Sequence, residues 1–306
     1  MAGVRDEVQR FSCACQSAGT GVVTEVEVGL YGKLPSHGDF LQRRVPPGFL
    51  TPWDEWLQQG LAASRATLAD QWTSTCRTSP VWRFALSASA CGRAAIAGLM
   101  GPSVDRVGRF FPLTLMWTLP VNLPPIVYAA VSGNALVPAE RLLVGVLTAE
   151  ALDFERFDEQ VTLLASSVQA LLHGVAEPFA DEDLAQLSLG QNAAWRLPTG
   201  SSGSVLPALS AMLARKLDAE YQPLTLWWTA GSAVIEPCYL IVRGMPTGDA
   251  FASLLDGSWN SRPWRSVRTV AADPPRRTNT AQVPGKAAVE PFLPTEAIND
   301  DAAPRA

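Results

Sequence analysis

From Val22 the chain alternates. Val26, Val28 and Leu30 stand against Glu25, Glu27 and Gly29, which predicts a half-buried strand. Beyond a loop rich in Gly and Pro, Thr51 and Pro52 predict a helix start, with Thr as N-cap and Pro at the first helical position. Trp53, Trp56, Leu57, Leu61, Leu68 and Trp72 then recur at helical spacing, the wide aromatic stripe of a packed helix. Three strands follow. Trp82, Phe84 and Leu86 alternate with Arg83, Ala85 and Ser87; residues 94–100 form a short run of small residues; Leu113, Leu115, Trp117 and Leu119 alternate with Thr114, Met116 and Thr118. The links between them are too short for helical crossovers, so neighbouring strands are expected to run antiparallel.

The middle of the chain changes period. Residues 139–147, and then Phe157, Val161, Leu164, Val168, Leu171 and Leu172, fit single apolar faces, and residues 181–189 predict a short helix. Ser204, ending a flexible loop at 200–204, is placed to cap a helix carrying Val205, Leu206, Leu209, Met212, Leu213 and Leu217. Strands return at 224–229 and 234–242, and a last helix over 249–255 stops at Gly257. Strands at both ends and helices between them predict one α/β (α+β) domain, a mainly antiparallel sheet flanked by helices. The expected limits are a disordered N-terminal extension over 1–21, the domain over 22–258 and a disordered Pro-rich tail over 259–306. From Arg262 onward seven prolines and no apolar period argue for that tail.

Composition narrows the possibilities. With 47% hydrophobic and 17% charged residues in 306, the chain can bury a sizeable core. A net charge of −5, with no basic stripe, excludes the electrostatic footprint of a nucleic-acid binder. No secretory signal pattern opens the chain, and no apolar run reaches the ~20 residues that span a bilayer. Five scattered cysteines, Cys13, Cys15, Cys76, Cys91 and Cys238, make neither a disulfide framework nor a metal knuckle. A cytoplasmic protein with reduced thiols, no metal, no cofactor and no membrane insertion is expected.

Two loops carry charge locked between Gly and Pro. One runs Gly32-Lys33-Leu34-Pro35-Ser36-His37-Gly38-Asp39-Phe40, the other Pro102-Ser103-Val104-Asp105-Arg106-Val107-Gly108-Arg109-Phe110-Phe111-Pro112. Gly32, Pro35, Gly38, Pro102, Gly108 and Pro112 shape these loops, because Gly and Pro fix backbone angles that few residues share. They aim Lys33, Asp39, Asp105, Arg106 and Arg109, the candidate partner-binding residues. If the strands beside them are neighbours, Asp39 or Asp105 can pair with Arg106 or Arg109, either exposed or buried. Catalytic signatures are missing. Gly32-Lys33 fails the phosphate-loop pattern at Glu27 and Leu34, and Gly200–Ser204 lacks the last glycine of a nucleophile elbow. Asp54 reads as a first-turn helix residue rather than as a catalytic acid. The alternative function is a small-molecule or phosphate-binding enzyme using Lys33, His37, Asp39 and Arg109 in a cleft.

The motifs from Tyr31 to Phe40, Pro52 to Leu57, Pro80 to Phe84 and Pro102 to Pro112 resemble the TagF (ImpM) family of type VI secretion-associated proteins, densely over about residues 29 to 120. A weaker likeness continues to Arg243-Gly244-Met245-Pro246 and Phe251. The resemblance implies a cytoplasmic, non-enzymatic accessory protein, a post-translational repressor of type VI secretion acting through the forkhead-associated (Fha) scaffold protein. In some relatives the domain is joined to, or encoded near, a PP2C-type phosphatase, which makes such a phosphatase a second expected partner. No phosphatase motif occurs in this chain.

Overall fold

The structure, a computed structural model, describes residues 25–121, 123–149, 152–174, 206–220 and 222–266. Seven strands form one sheet in the order β2-β1-β5-β4-β3-β6-β7, and every neighbouring pair is antiparallel. The strands are β1 (Gly29–Gly32), β2 (Leu41–Arg43), β3 (Trp82–Leu86), β4 (Ile96–Gly101), β5 (Leu113–Thr118), β6 (Leu224–Thr229) and β7 (Cys238–Arg243). On one face lie α1 (Leu50–Leu68), α2 (Trp72–Thr78) and α7 (Asp249–Asp256). On the other lie α3 (Pro125–Ser132), α4 (Val137–Thr148), α5 (Phe154–Gly174) and α6 (Leu206–Glu220). This is the expected helix-flanked antiparallel sheet.

Both sheet faces are covered, which is why the central strands carry bulky apolar residues at successive positions. In β5, Leu113, Leu115 and Trp117 enter the core under α3–α6, while Met116 enters the core under α1, α2 and α7. The second core is aromatic: Trp53 stacks on Phe49 at 5.0 Å and lies 4.8 Å from both Trp56 and Phe84. The buried indoles Trp53, Trp56, Trp72, Trp82 and Trp227 there each satisfy their N–H, as burial requires. Trp56 donates to the carbonyl of Pro246, Trp82 to that of Leu254, and Trp72 to the hydroxyl of Ser64. Cys76 and Cys91 are buried, and desolvation pushes both thiols up to about 12, so they are packing groups and not nucleophiles.

Several boundaries differ from the sequence reading. The first strand is only Gly29–Gly32, because the Val26 N–H bonds to the Gln169 side chain of α5 and not to a strand. Helix α1 begins at Leu50, not after a Thr51 cap. Phe49, buried and stacked on Trp53, anchors the entry in place of a polar cap. Asp54 therefore lies beyond the first turn. The aromatic stripe is cut by a short 3₁₀ turn at Ala69–Gln71, so Trp72 belongs to α2. Strand β2 and helix α3 were not foreseen, and β7 starts at Cys238, leaving Val234 exposed outside it. On α6, Ala211 and Ala214 are buried in the core with Met212 and Leu217 packed against it, while Leu209 and Leu213 are exposed. The helix expected at 181–189, the loop at 200–204, Cys13, Cys15 and the extension 1–21 lie outside the described residues.

The run Pro125–Thr148 has an 18-residue window of mean hydropathy 1.3, long and apolar enough for a membrane span by composition. A 3₁₀ turn at Gly133–Leu136 breaks it into helices of 8 and 12 residues. At 1.5 Å per residue neither reaches across ~30 Å of hydrocarbon. Both pack on the sheet instead. At the other end, the described chain continues past the expected boundary at Ser258. Trp259 and Trp264 pack edge to face at 5.4 Å against the aromatic core, and Arg262 forks onto Asp256.

Candidate functional site

Strands β1 and β5 are neighbours, with Leu30 opposite Leu115, and this pairing brings the two charged loops together. Gly32 ends β1 at φ 138°, and a Cβ there would stand 2.1 Å from the carbonyl oxygen of Pro112. Only glycine lets the first loop leave the sheet so close to the end of the second. Leu34, fully buried, pins the first loop to the core, and the His37 N–H closes a turn onto the carbonyl of Leu34 at 3.0 Å.

The second loop is organised by Asp105. Its Oδ1 accepts the backbone N–H groups of Val107 at 3.0 Å and Arg109 at 2.8 Å, which caps the turn at Gly108. Its Oδ2 accepts the Lys33 ammonium at 2.6 Å and the Arg109 Nε–H at 2.7 Å. Three further bonds join the loops: the Ser103 hydroxyl to the Lys33 carbonyl at 2.6 Å, the Arg106 N–H to the His37 carbonyl at 3.3 Å, and Arg109 Nη2 to the Gly38 carbonyl at 2.5 Å. The Lys33 ammonium also sits 4.9 Å from the centre of the Phe40 ring, in cation–π range. Burial pushes the Asp105 carboxyl pKa up, but the bonds from Lys33 and Arg109 outweigh it and hold the group well below the ordinary carboxylate value.

An aromatic wedge backs the junction. Phe40 meets Phe111 edge to face at 4.7 Å and stacks on Tyr31 at 5.8 Å. The Tyr31 hydroxyl donates to Asp54 of α1 at 2.5 Å; burial, then this carboxylate, push the phenol pKa up. His37 shares a hydrogen bond with Ser36 at Nδ1 and lies edge-on to Phe154 at the start of α5.

The structure thus sorts the candidate residues into two groups. Lys33 and Asp105 are each only 4% exposed and brace the loops from within. Asp39 and Arg106 are exposed, and the Arg109 side chain is 60% exposed. With Phe40 at 47% and Val107 at 62%, they make a mixed charged and apolar tip. The expected pair of an aspartate with an arginine is Asp105 with Arg109, in its buried form at the aspartate. Sequence reasoning missed Ser103, Phe40, Phe111 and the Tyr31–Asp54 bond as parts of this junction; the signal available was their place inside or beside the same Gly- and Pro-framed segments.

Among the described residues, His37 and Asp39 do not join Lys33 and Arg109 at Asp105. Lys33 is occupied by Asp105, Asp39 points to solvent, and His37 is turned to Ser36 and Phe154. A shallow apolar depression lies elsewhere, between β3, β4 and α7, with Trp82, Met100, Pro102, Phe110 and Leu254 among its lining. Among the described residues no cluster of His, Cys, Asp and Glu has the make-up of a metal site.

Residues 29–164 match the family model described as the TagF N-terminal domain, type VI secretion system-associated. Over these residues the chain is similar to the TagF N-terminal domain. The match begins at the first residue of β1 and takes in both charged loops and strands β1–β5. PA0076 from Pseudomonas aeruginosa PAO1, a solved structure, is similar over 79% of this chain and 100% of its own, with 29% identity and a TM-score of 0.60. That likeness reaches beyond the TagF N-terminal domain match. No curated protein matches the sequence.

Proposed function

We propose that this type VI secretion-associated protein is a cytoplasmic, non-enzymatic repressor that acts after translation by docking on the forkhead-associated scaffold. The tip of the two loops is its contact face. The observation that carries the reading is the brace itself: Lys33, Asp105 and Arg109 are spent on holding the loops, and what they present is Asp39, Phe40, Arg106 and Val107. An exposed pair is worth only about 0–1 kcal/mol, so a buried one capped by four donors serves shape more than surface attraction. An aromatic and an arginine side chain on a fixed frame are side-chain types enriched at binding interfaces.

Arg106→Glu and Val107→Asp change only exposed side chains. Each is expected to melt like the parent protein, to lose capture of the scaffold in a pull-down, and to release secretion of a type VI substrate, as gene deletion is expected to do. Overexpression of the parent protein should lower that secretion. Full capture and full repression by both variants would place the contact face elsewhere. A deletion that leaves secretion unchanged would overturn the repressor reading itself.

A further inference from the structure

Past α7 the chain is held to the domain by side chains. Gly257, left-handed at φ 71°, turns it off the helix, and residues 258–266 form neither a strand nor a helix. Trp259 stands edge-on to Trp82 at 6.4 Å, and Trp264 stands edge-on to Trp259 at 5.4 Å. Both outer indoles belong to half-buried residues, whereas Trp82 is only 1% exposed.

No backbone ladder anchors this segment. Trp259 and Trp264 donate their N–H groups two residues back, to the carbonyls of Gly257 and Arg262. Among the described residues no backbone-to-backbone hydrogen bond ties 258–266 to a strand or a helix. The polar ties converge instead on Asp256, the last residue of α7. Its carboxylate accepts the Ser258 N–H at 3.0 Å, the Ser258 hydroxyl at 2.9 Å, and Arg262 Nη1 and Nη2 at 2.5 and 2.9 Å. The other ties to α7, both through the Ser253 hydroxyl, are long at 3.4 Å. A carboxylate in the last turn of a helix faces the negative end of the helix dipole, so Asp256 gains nothing from α7 itself. Its four donors are what stabilise it there.

We propose that residues 258–264 are a strap that opens and closes as one unit, hinged at Gly257 and clasped by Asp256. Opening breaks the Arg262 fork, the two long bonds at Ser253 and one edge-to-face contact on Trp82. Segments with few backbone bonds and little buried apolar surface open well below the free energy of global unfolding. The closed form also carries a flaw. The Trp264 indole N–H is buried and, among the described residues, meets no acceptor, a cost that opening relieves. Closed, the strap covers an edge of Trp82; open, it bares an indole that also lines the apolar depression between β3, β4 and α7.

Amide hydrogen exchange of the full chain tests this. In the parent protein the strap amides should exchange through an opening more frequent than that of β3 and β4. Asp256→Asn and Arg262→Gln break the clasp from opposite sides. Each should speed exchange of the strap amides at least about tenfold and leave β3, β4 and β5 unchanged. The double variant should add little to either single one, because both remove the same clasp. Arg262 lies outside α7, so its variant decides the matter if Asp256→Asn disturbs the helix. Strap amides that exchange only as slowly as β3 and β4 would make the segment part of the core and overturn the proposal. Rates indifferent to Arg262→Gln, or fully additive in the double variant, would remove Asp256 as the clasp. Acceleration that spreads into β3–β5 would show that the strap is no unit of its own.

Discussion

At Asp105 four donors converge on one carboxylate, two from its own loop backbone and two from side chains that reach in from different directions. Removing the charge strands the Lys33 ammonium, which is only 5% exposed. Asp105→Asn is therefore expected to cost about 3–5 kcal/mol, read as a lowered midpoint in urea or thermal unfolding. Arg109→Ala, at a largely exposed side chain, should cost about 1 kcal/mol or less. The same geometry sets a pH dependence. The folded pKa of Asp105 lies below its ordinary 3.8, so its contribution to stability is complete above that pH and is lost as pH falls through the folded value. Asp256 adds to the loss in the same direction: burial raises its pKa, but Arg262 and Ser258 hold it lowered on balance. Unfolding midpoints measured from neutral pH into acid should fall below about pH 4 for the parent protein, and Asp105→Asn should show the shallower fall.

Between elements, α1 and α7 approach closely at a glycine. A Cβ on Gly60 would lie 2.3 Å from the ring of Phe251, which is fully buried and has no room to swing aside. Gly60→Ala should therefore destabilise by about 1–3 kcal/mol through overpacking, despite the better helix propensity of alanine. Gly145 is the control. It is an exposed residue inside α4 with nothing within 4 Å of where a Cβ would stand, so Gly145→Ala should raise stability by about 0.5–1 kcal/mol. Melting curves of the two variants should move in opposite directions.

Across the whole molecule, one sheet separates two cores, and residues after α7 still belong to one of them. Trp259 meets Trp82 edge to face at 6.4 Å, and Arg262 holds Asp256 with two hydrogen bonds. A chain ending at Ser258 loses these contacts, whereas one ending at Ser266 keeps them. The shorter chain is expected to melt several degrees lower by calorimetry. Equal melting temperatures would show that the indoles after α7 contribute nothing to the fold.

Local pattern alone determined much of this protein. Period-two alternation marked β3 and β5, short links set each antiparallel to β4 between them, and Gly257 in the left-handed conformation ends α7 where a C-terminal glycine is expected. These features depend on neighbours a few residues away. The two Gly- and Pro-framed loops stood out for the same reason, since restricted backbone angles are visible residue by residue. Tertiary structure decided what no local pattern encodes. Trp72 fits the stripe of α1 yet belongs to α2, because the chain turns at Ala69 and the indole still reaches Ser64. Leu209 and Leu213 fit a helical apolar face yet stand in solvent, because Ala211 and Ala214 are the residues that let α6 approach its neighbours. Lys33 and Asp105 looked alike with Asp39 and Arg106 in sequence. Pairing of β1 with β5 buries the first two and exposes the others, since the desolvation of a charge depends on what the whole sheet brings beside it.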